Sequence, residues 1–301
     1  MPSKIKSEII LVTPEMAKQY LLCNEGNRLV RPGWVNYLTY CIQSNEWQTT
    51  HQGVAFANDG RLLDGQHRLM AIVKAGIPAE LMVSYGWDAA VFAAIDNGMH
   101  RSDSDRTGIP KRVVECAKFF IYIMAYEGTE NTARPGEKNL VATRLTPEQI
   151  KRYATVISDF HAALTSTSST LFSSVPSRCA VIAVMMMGYD IKYAIKLYRD
   201  LVLGNTVDLP PIGSSAMRQY VTGTLNSKGG GEVRFDNFAK LIPLYKKENK
   251  DVQKLMLRDR NERIAEVRNV LRHWFNGQDK TPREIATQRT VLNDVNAQVA
   301  A

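Results

Sequence analysis

Five consecutive residues, Asp64-Gly65-Gln66-His67-Arg68, concentrate more chemistry than any other stretch of the chain. They follow the apolar pair Leu62-Leu63 and open a helical pattern that runs to Ala75, so a strand passes through a glycine turn straight into a helix. The first turn of such a helix presents unpartnered backbone N–H groups at the positive end of its dipole. Gly65 lets the backbone approach a ligand closely. Gln66 belongs to the same turn, His67 adds a donor or a proton-transfer group, and Arg68 adds a planar cationic fork suited to phosphate. Together they make a phosphate cradle. A second account uses the same residues structurally, with Asp64 capping the helix and Arg68 pairing with a carboxylate; the local sequence leaves both open.

A second cluster lies between Asp96 and Asp105. Asp96, Asp103 and Asp105 are of the type that holds Mg²⁺ together with phosphate oxygens, and Arg101 can neutralise a phosphate. Helix capping competes for Gly98 and for Asp103 or Ser104. Asp64, His67 and Asp96 are the candidate catalytic groups. Four scattered cysteines without a C-x-x-C pair argue against a zinc site or a disulfide framework. Met185-Met186-Met187 reads as core filler and Lys228-Gly229-Gly230-Gly231 as a linker.

The elements that must position these residues follow from turn and capping signals. Ile9–Val12 reads as a strand, and Thr13-Pro14 starts a helix to about Cys23. Asn24 to Arg31 is a loop, and Pro32 to Asn45 has a helical period. Gly53–Ala57, Asn58-Asp59-Gly60 and Arg61–Leu63 make a hairpin on a strong Asp-Gly turn. The helix after Asp64-Gly65 ends at Gly76, Leu81–Tyr85 is a strand, and Asp88 caps a helix over Ala89 to Ile95. From Arg112 onward the pattern is almost entirely helical, and Lys250 to Phe275 is a long basic amphipathic stretch. The fold class is therefore α+β, with a small mixed sheet and its helices over residues 1–105 and a mainly helical, basic region over 106–301.

Charge is uneven. Residues 1–100 hold 8 basic and 9 acidic side chains, whereas 101–301 hold 30 and 21. A pI near 9.3 built on that skew points to a polyanionic partner such as DNA. Arg258, Arg268 and Arg272 recur near helical spacing in the basic stretch and are the candidate nucleic-acid contacts; pairing with Asp259, Glu262 and Glu266 is the alternative. No apolar run approaches the ~18 residues of a membrane span. The MPSKIKSEII start lacks the apolar core of a signal peptide, which predicts a cytoplasmic protein.

The pentapeptide Asp64-Gly65-Gln66-His67-Arg68, in its strand–turn–helix setting, resembles the DGQHR-type branch of the ParB/sulfiredoxin superfamily. The corresponding turn reads like GERR in ParB-type proteins and GGCHR in sulfiredoxins, and it binds nucleotide phosphates in both. The resemblance covers roughly residues 5–100. Gln66 stands in place of the sulfiredoxin cysteine, which argues against sulfinate reduction. Asn27, Arg28 and Arg31 occupy the loop where ParB-like proteins carry an Asn/Arg motif facing the nucleotide. Phage-type proteins with this segment show a D-x-G-x-x-R element similar to Asp96–Arg101. The resemblance implies a nucleoside triphosphate (ATP or CTP) with Mg²⁺, a homo-oligomer as one possible assembly, and, for a phage-encoded chain, the host cytoplasm. Three functions follow: a nucleotide- or phosphate-binding ParB-like protein acting on DNA; an ATP-dependent kinase of a hydroxyl on a small molecule or modified base; or a non-enzymatic DNA-binding regulator.

Overall fold

A computed structural model describes residues 5–94, 102–125, 145–164, 172–225 and 231–276. The chain is α+β and divides into two compact units: Met1–Arg101 with Leu140–Thr146, and Ser102–Asn139 with Pro147–Ala301. The division falls at Arg101/Ser102, a little before the boundary expected at 105. Ser102 caps α4 (Asp103–Thr107), and α4 packs on helices of the second unit.

The first unit opens with β1 (Lys6–Val12) and α1 (Pro14–Leu21). Thr13 Oγ1 accepts from the Met16 N–H at 3.2 Å, with Pro14 in the first turn, so strand gives way to helix where the capping signal stands. Next come α2 (Pro32–Gln43), β2 (Val54–Ala57), β3 (Leu62–Asp64), α3 (Gln66–Ala75) and β4 (Ala79–Trp87). The sheet order is β1-β4-β2-β3. β1 and β3 pair antiparallel with their neighbours, while β2 and β4 run parallel. Gly60, at φ 87°, closes the β2–β3 hairpin, and Asp59 Oδ1 accepts from the Arg61 N–H at 3.1 Å. Gly76 ends α3 in the left-handed conformation.

One apolar core joins the sheet to α1, α2 and α3, through Val12, Leu38, Val54, Leu69, Ile72 and Val83 among others. Ala89–Ala94 forms a 3₁₀ helix in place of the α-helix expected there. Its Val91 N–H bonds back three residues to the Asp88 carbonyl, while Asp88 Oδ1 takes the Ala90 N–H.

In the second unit, α5 (Lys111–Ala125), α6 (Pro147–Ala162), α10 (Gly231–Leu241) and α11 (Arg260–Asn276) surround α7 (Val175–Met186). α8 (Ile191–Leu203) and α9 (Pro211–Val221) complete the set. Pro176 through Met186 are all buried, as befits a helix apolar on every side, so Met185 and Met186 are core residues. The one charge on it, Arg178, meets Glu115 at 3.2 Å.

The long basic helix expected over Lys250–Phe275 is shorter than predicted: α11 begins only at Arg260. Asp259 takes φ 50° and breaks the helical path. Before it, Ser215 Oγ accepts the Leu255 N–H at 3.0 Å and Gln219 Nε2 donates to the Leu255 carbonyl at 2.8 Å. Side chains of α9 thus take the backbone groups that a helix would have paired internally.

Candidate functional site

The Asp64–Arg68 turn lies where β3 enters α3. Gly65, not Asp64, is the helix cap, at φ 104° and ψ 0°. A Cβ at Gly65 would come within 2.8 Å of Val54 Cγ2 and 3.0 Å of Val54 Cα. The close approach that glycine permits is therefore first of all an approach to β2. Asp64 Oδ1 accepts the Gly65 N–H at 2.7 Å, and Oδ2 stands 3.6 Å from Arg68 Nη1. Arg68 Nη1 also donates to the Gly53 carbonyl at 3.1 Å. The fork expected to face phosphate is in part turned onto the chain entering β2.

The loop expected to carry the second cluster is bound to this turn. Gln66, buried at 4% exposure, takes the Asn24 amide on Oε1 at 3.2 Å and donates through Nε2 to the Arg28 carbonyl at 2.9 Å. Asn27 Nδ2 donates to Asn24 Oδ1 at 2.8 Å and to the Leu62 carbonyl at 2.6 Å. His67, also buried, accepts the Arg31 N–H on Nε2 at 3.0 Å. That bond gives Nε2 a bracing role and removes it as a proton acceptor for a substrate. Burial lowers the His67 pKa, and Arg28 and then Arg31 lower it further; Asp64 acts the other way.

Family likeness places Asn27, Arg28 and Arg31 at the motif. Asn24, whose only signal in the sequence is its place in the same polar loop, and Gly53, whose carbonyl meets Arg68, join them only in the tertiary structure.

Two donors remain. The backbone N–H groups of Gln66 and His67 meet no acceptor among the described residues, whereas those of Arg68 and Leu69 reach the Gly65 carbonyl at 2.9 and 3.0 Å. Unpaired N–H groups on buried residues are costly unless water or a ligand satisfies them. Three guanidinium groups, from Arg28, Arg31 and Arg68, act electrostatically on His67, opposed by the carboxylate of Asp64. The arrangement suits an anion.

The other candidates separate. Asp96 and Arg101 lie outside the described residues. Asp105 and Ser102 form a reciprocal capping box at the start of α4, and Asp103 meets Arg106 at 3.2 Å and Lys118 at 2.7 Å. The cap is thus Ser102, one residue before the expected Asp103 or Ser104; Asp105 completes the capping box and ion pairing occupies Asp103. No three His, Cys, Asp or Glu side chains gather as a metal site among the described residues. Arg258, Arg268 and Arg272 do not share one helical face as expected. Arg258 is exposed but precedes the Asp259 break, Arg268 Nη2 reaches back to the Met124 carbonyl at 3.5 Å, and Arg272 is exposed beside Asn269.

No protein-family model, curated protein or solved structure matches the chain. Among the described residues no helix is long and apolar enough to cross a membrane.

Proposed function

We propose that the first unit binds the phosphates of a nucleotide at the start of α3, in the manner of a ParB-like protein acting on DNA. The observation that carries this reading is the pair of unsatisfied N–H groups on buried Gln66 and His67, bracketed by Arg28, Arg31 and Arg68. The resident side chains have a division of labour. Gln66, Asn24 and Asn27 hold the loop so that Arg28 and Arg31 stand beside the helix start. His67 fixes the Arg31 backbone, and Asp64 with Arg68 fixes the turn itself. Mg²⁺ enters this reading only as the companion of the nucleotide, and no step is assigned to it. DNA is the polyanion on which the nucleotide-bound protein acts; the support is the excess of 30 basic over 21 acidic side chains in residues 101–301.

Titration calorimetry of the full chain with ATP and CTP tests the site. Arg31 uses only its backbone within this network, so Arg31→Ala should keep the fold. Arg28→Ala and Arg31→Ala should each weaken binding about tenfold to a hundredfold, the range for a charge-assisted hydrogen bond. Unchanged affinity in a folded double variant overturns the proposal. Arg68→Ala is the poorer test, because it also frees the Gly53 carbonyl.

A further inference from the structure

A cavity of about 570 Å³ opens in the helical unit, beside α9 and the segment that precedes α11. Its size falls within the several-hundred-Å³ range of small-molecule sites. Three cations line it, each from a different part of the unit: Arg218 on α9, Lys240 at the end of α10, and Lys254 in the irregular segment. Among the described residues no aspartate or glutamate lines it. None of the three cations has a carboxylate partner among the described residues, in contrast to Arg178, Lys246, Lys247 and Arg260, which all do.

The wall is built rather than loose. Ser215, buried at 4% exposure, accepts both the Leu255 N–H at 3.0 Å and Gln219 Nε2 at 3.2 Å, so the segment carrying Lys254 is tied to the helix carrying Arg218. Further along the same segment, Met256 and Leu257 line the cavity and remain 42% and 39% exposed.

We propose that this cavity binds a small organic phosphate, with Arg218, Lys240 and Lys254 on its anionic groups and Met256 and Leu257 against its apolar part. Unpaired like charges around one concave site repel one another, and a multiply charged anion relieves that repulsion. Consistent with this, burial and the neighbouring Lys254 both lower the Lys240 pKa. A single carboxylate would leave most of the charge uncompensated, and a concavity of this size takes one compact molecule rather than the ridge of a duplex. The site belongs wholly to the second unit and does not depend on the reading of α3.

The test is calorimetry on full-length Arg28→Ala/Arg31→Ala protein, in which the first unit is disabled, with inorganic pyrophosphate and with ADP as probes. Both should bind, ADP the more tightly, and Lys240→Gln/Lys254→Gln should weaken both at least tenfold. The unfolding temperature should not fall, because neither lysine has a partner to lose. If the quadruple variant is poorly folded, acylation of the parent protein followed by mass spectrometry replaces it: ADP should protect Lys240 and Lys254. Absence of binding by both probes, affinity indifferent to the lysines, or labelling indifferent to ADP overturns the proposal. So does binding of a 20-base-pair duplex through these lysines without binding of pyrophosphate.

Discussion

The Arg31 backbone N–H donates to His67 Nε2 at 3.0 Å, joining residues 36 apart in the chain. An imidazole that accepts on Nε2 is neutral and carries its proton on Nδ1. Folding thus lowers the His67 pKa from 6.5, chiefly through burial and then through Arg28 and Arg31. The unfolded chain takes up the proton first as pH falls, so the contribution is complete above about pH 6.5 and declines below it. His67→Ala should lose about 1–3 kcal/mol at pH 8, the cost of leaving the Arg31 N–H unpaired. It should also lose this residue's share of the acid sensitivity. Urea unfolding at pH 8 and pH 5 measures both; an unaltered midpoint at pH 8 would show that the bond contributes nothing.

His161 makes the larger acid-sensitive contribution. It is half-buried in the helical unit, its enclosed Nε2 has no hydrogen-bond partner among the described residues, and its pKa is pushed down to about 4, first by burial and then by Arg178 and Arg112. Protonation is again favoured in the unfolded chain. Stability of this unit should therefore fall as pH drops from about 6.5 towards 4, by up to about 1.4 kcal/mol per pH unit. His161→Leu should flatten that slope. A slope unchanged in the leucine variant would assign the acid sensitivity elsewhere.

Three glycines of the first unit should rank sharply on replacement by alanine. At Gly60 the φ is 87° but the surrounding space is open, so Gly60→Ala should cost about 1–2 kcal/mol of backbone strain. At Gly65 a φ of 104° combines with the Val54 contact, and the loss should reach about 3 kcal/mol or more. At Gly53 a methyl group would be driven into the Met82 carbonyl of β4, and the variant should not fold. Denaturation midpoints supply the ranking. Equal effects at Gly60 and Gly65 would contradict the packing of the turn on β2.

Much of the first unit could be read from local chemistry. Thr13-Pro14, Asp59-Gly60 and Gly76 each act through their own dihedrals and nearest hydrogen bonds, so the strands and helices from β1 to β4 stand where those residues put them. The turn at Asp64–Arg68 was legible for the same reason. Which way its groups face was not. Gln66 and His67 point at Asn24, Arg28 and Arg31, some 40 residues earlier, and Arg68 points at Gly53. No spacing rule encodes those pairings, because they exist only once α3 has packed beside the loop. The same limit explains the basic stretch. Charge periodicity in Lys250–Phe275 resembles a helix, but Ser215 and Gln219 of α9 capture the Leu255 backbone. The cation-lined cavity likewise gathers Arg218, Lys240 and Lys254 from three segments, each of which alone reads in the sequence as an ordinary solvated cation.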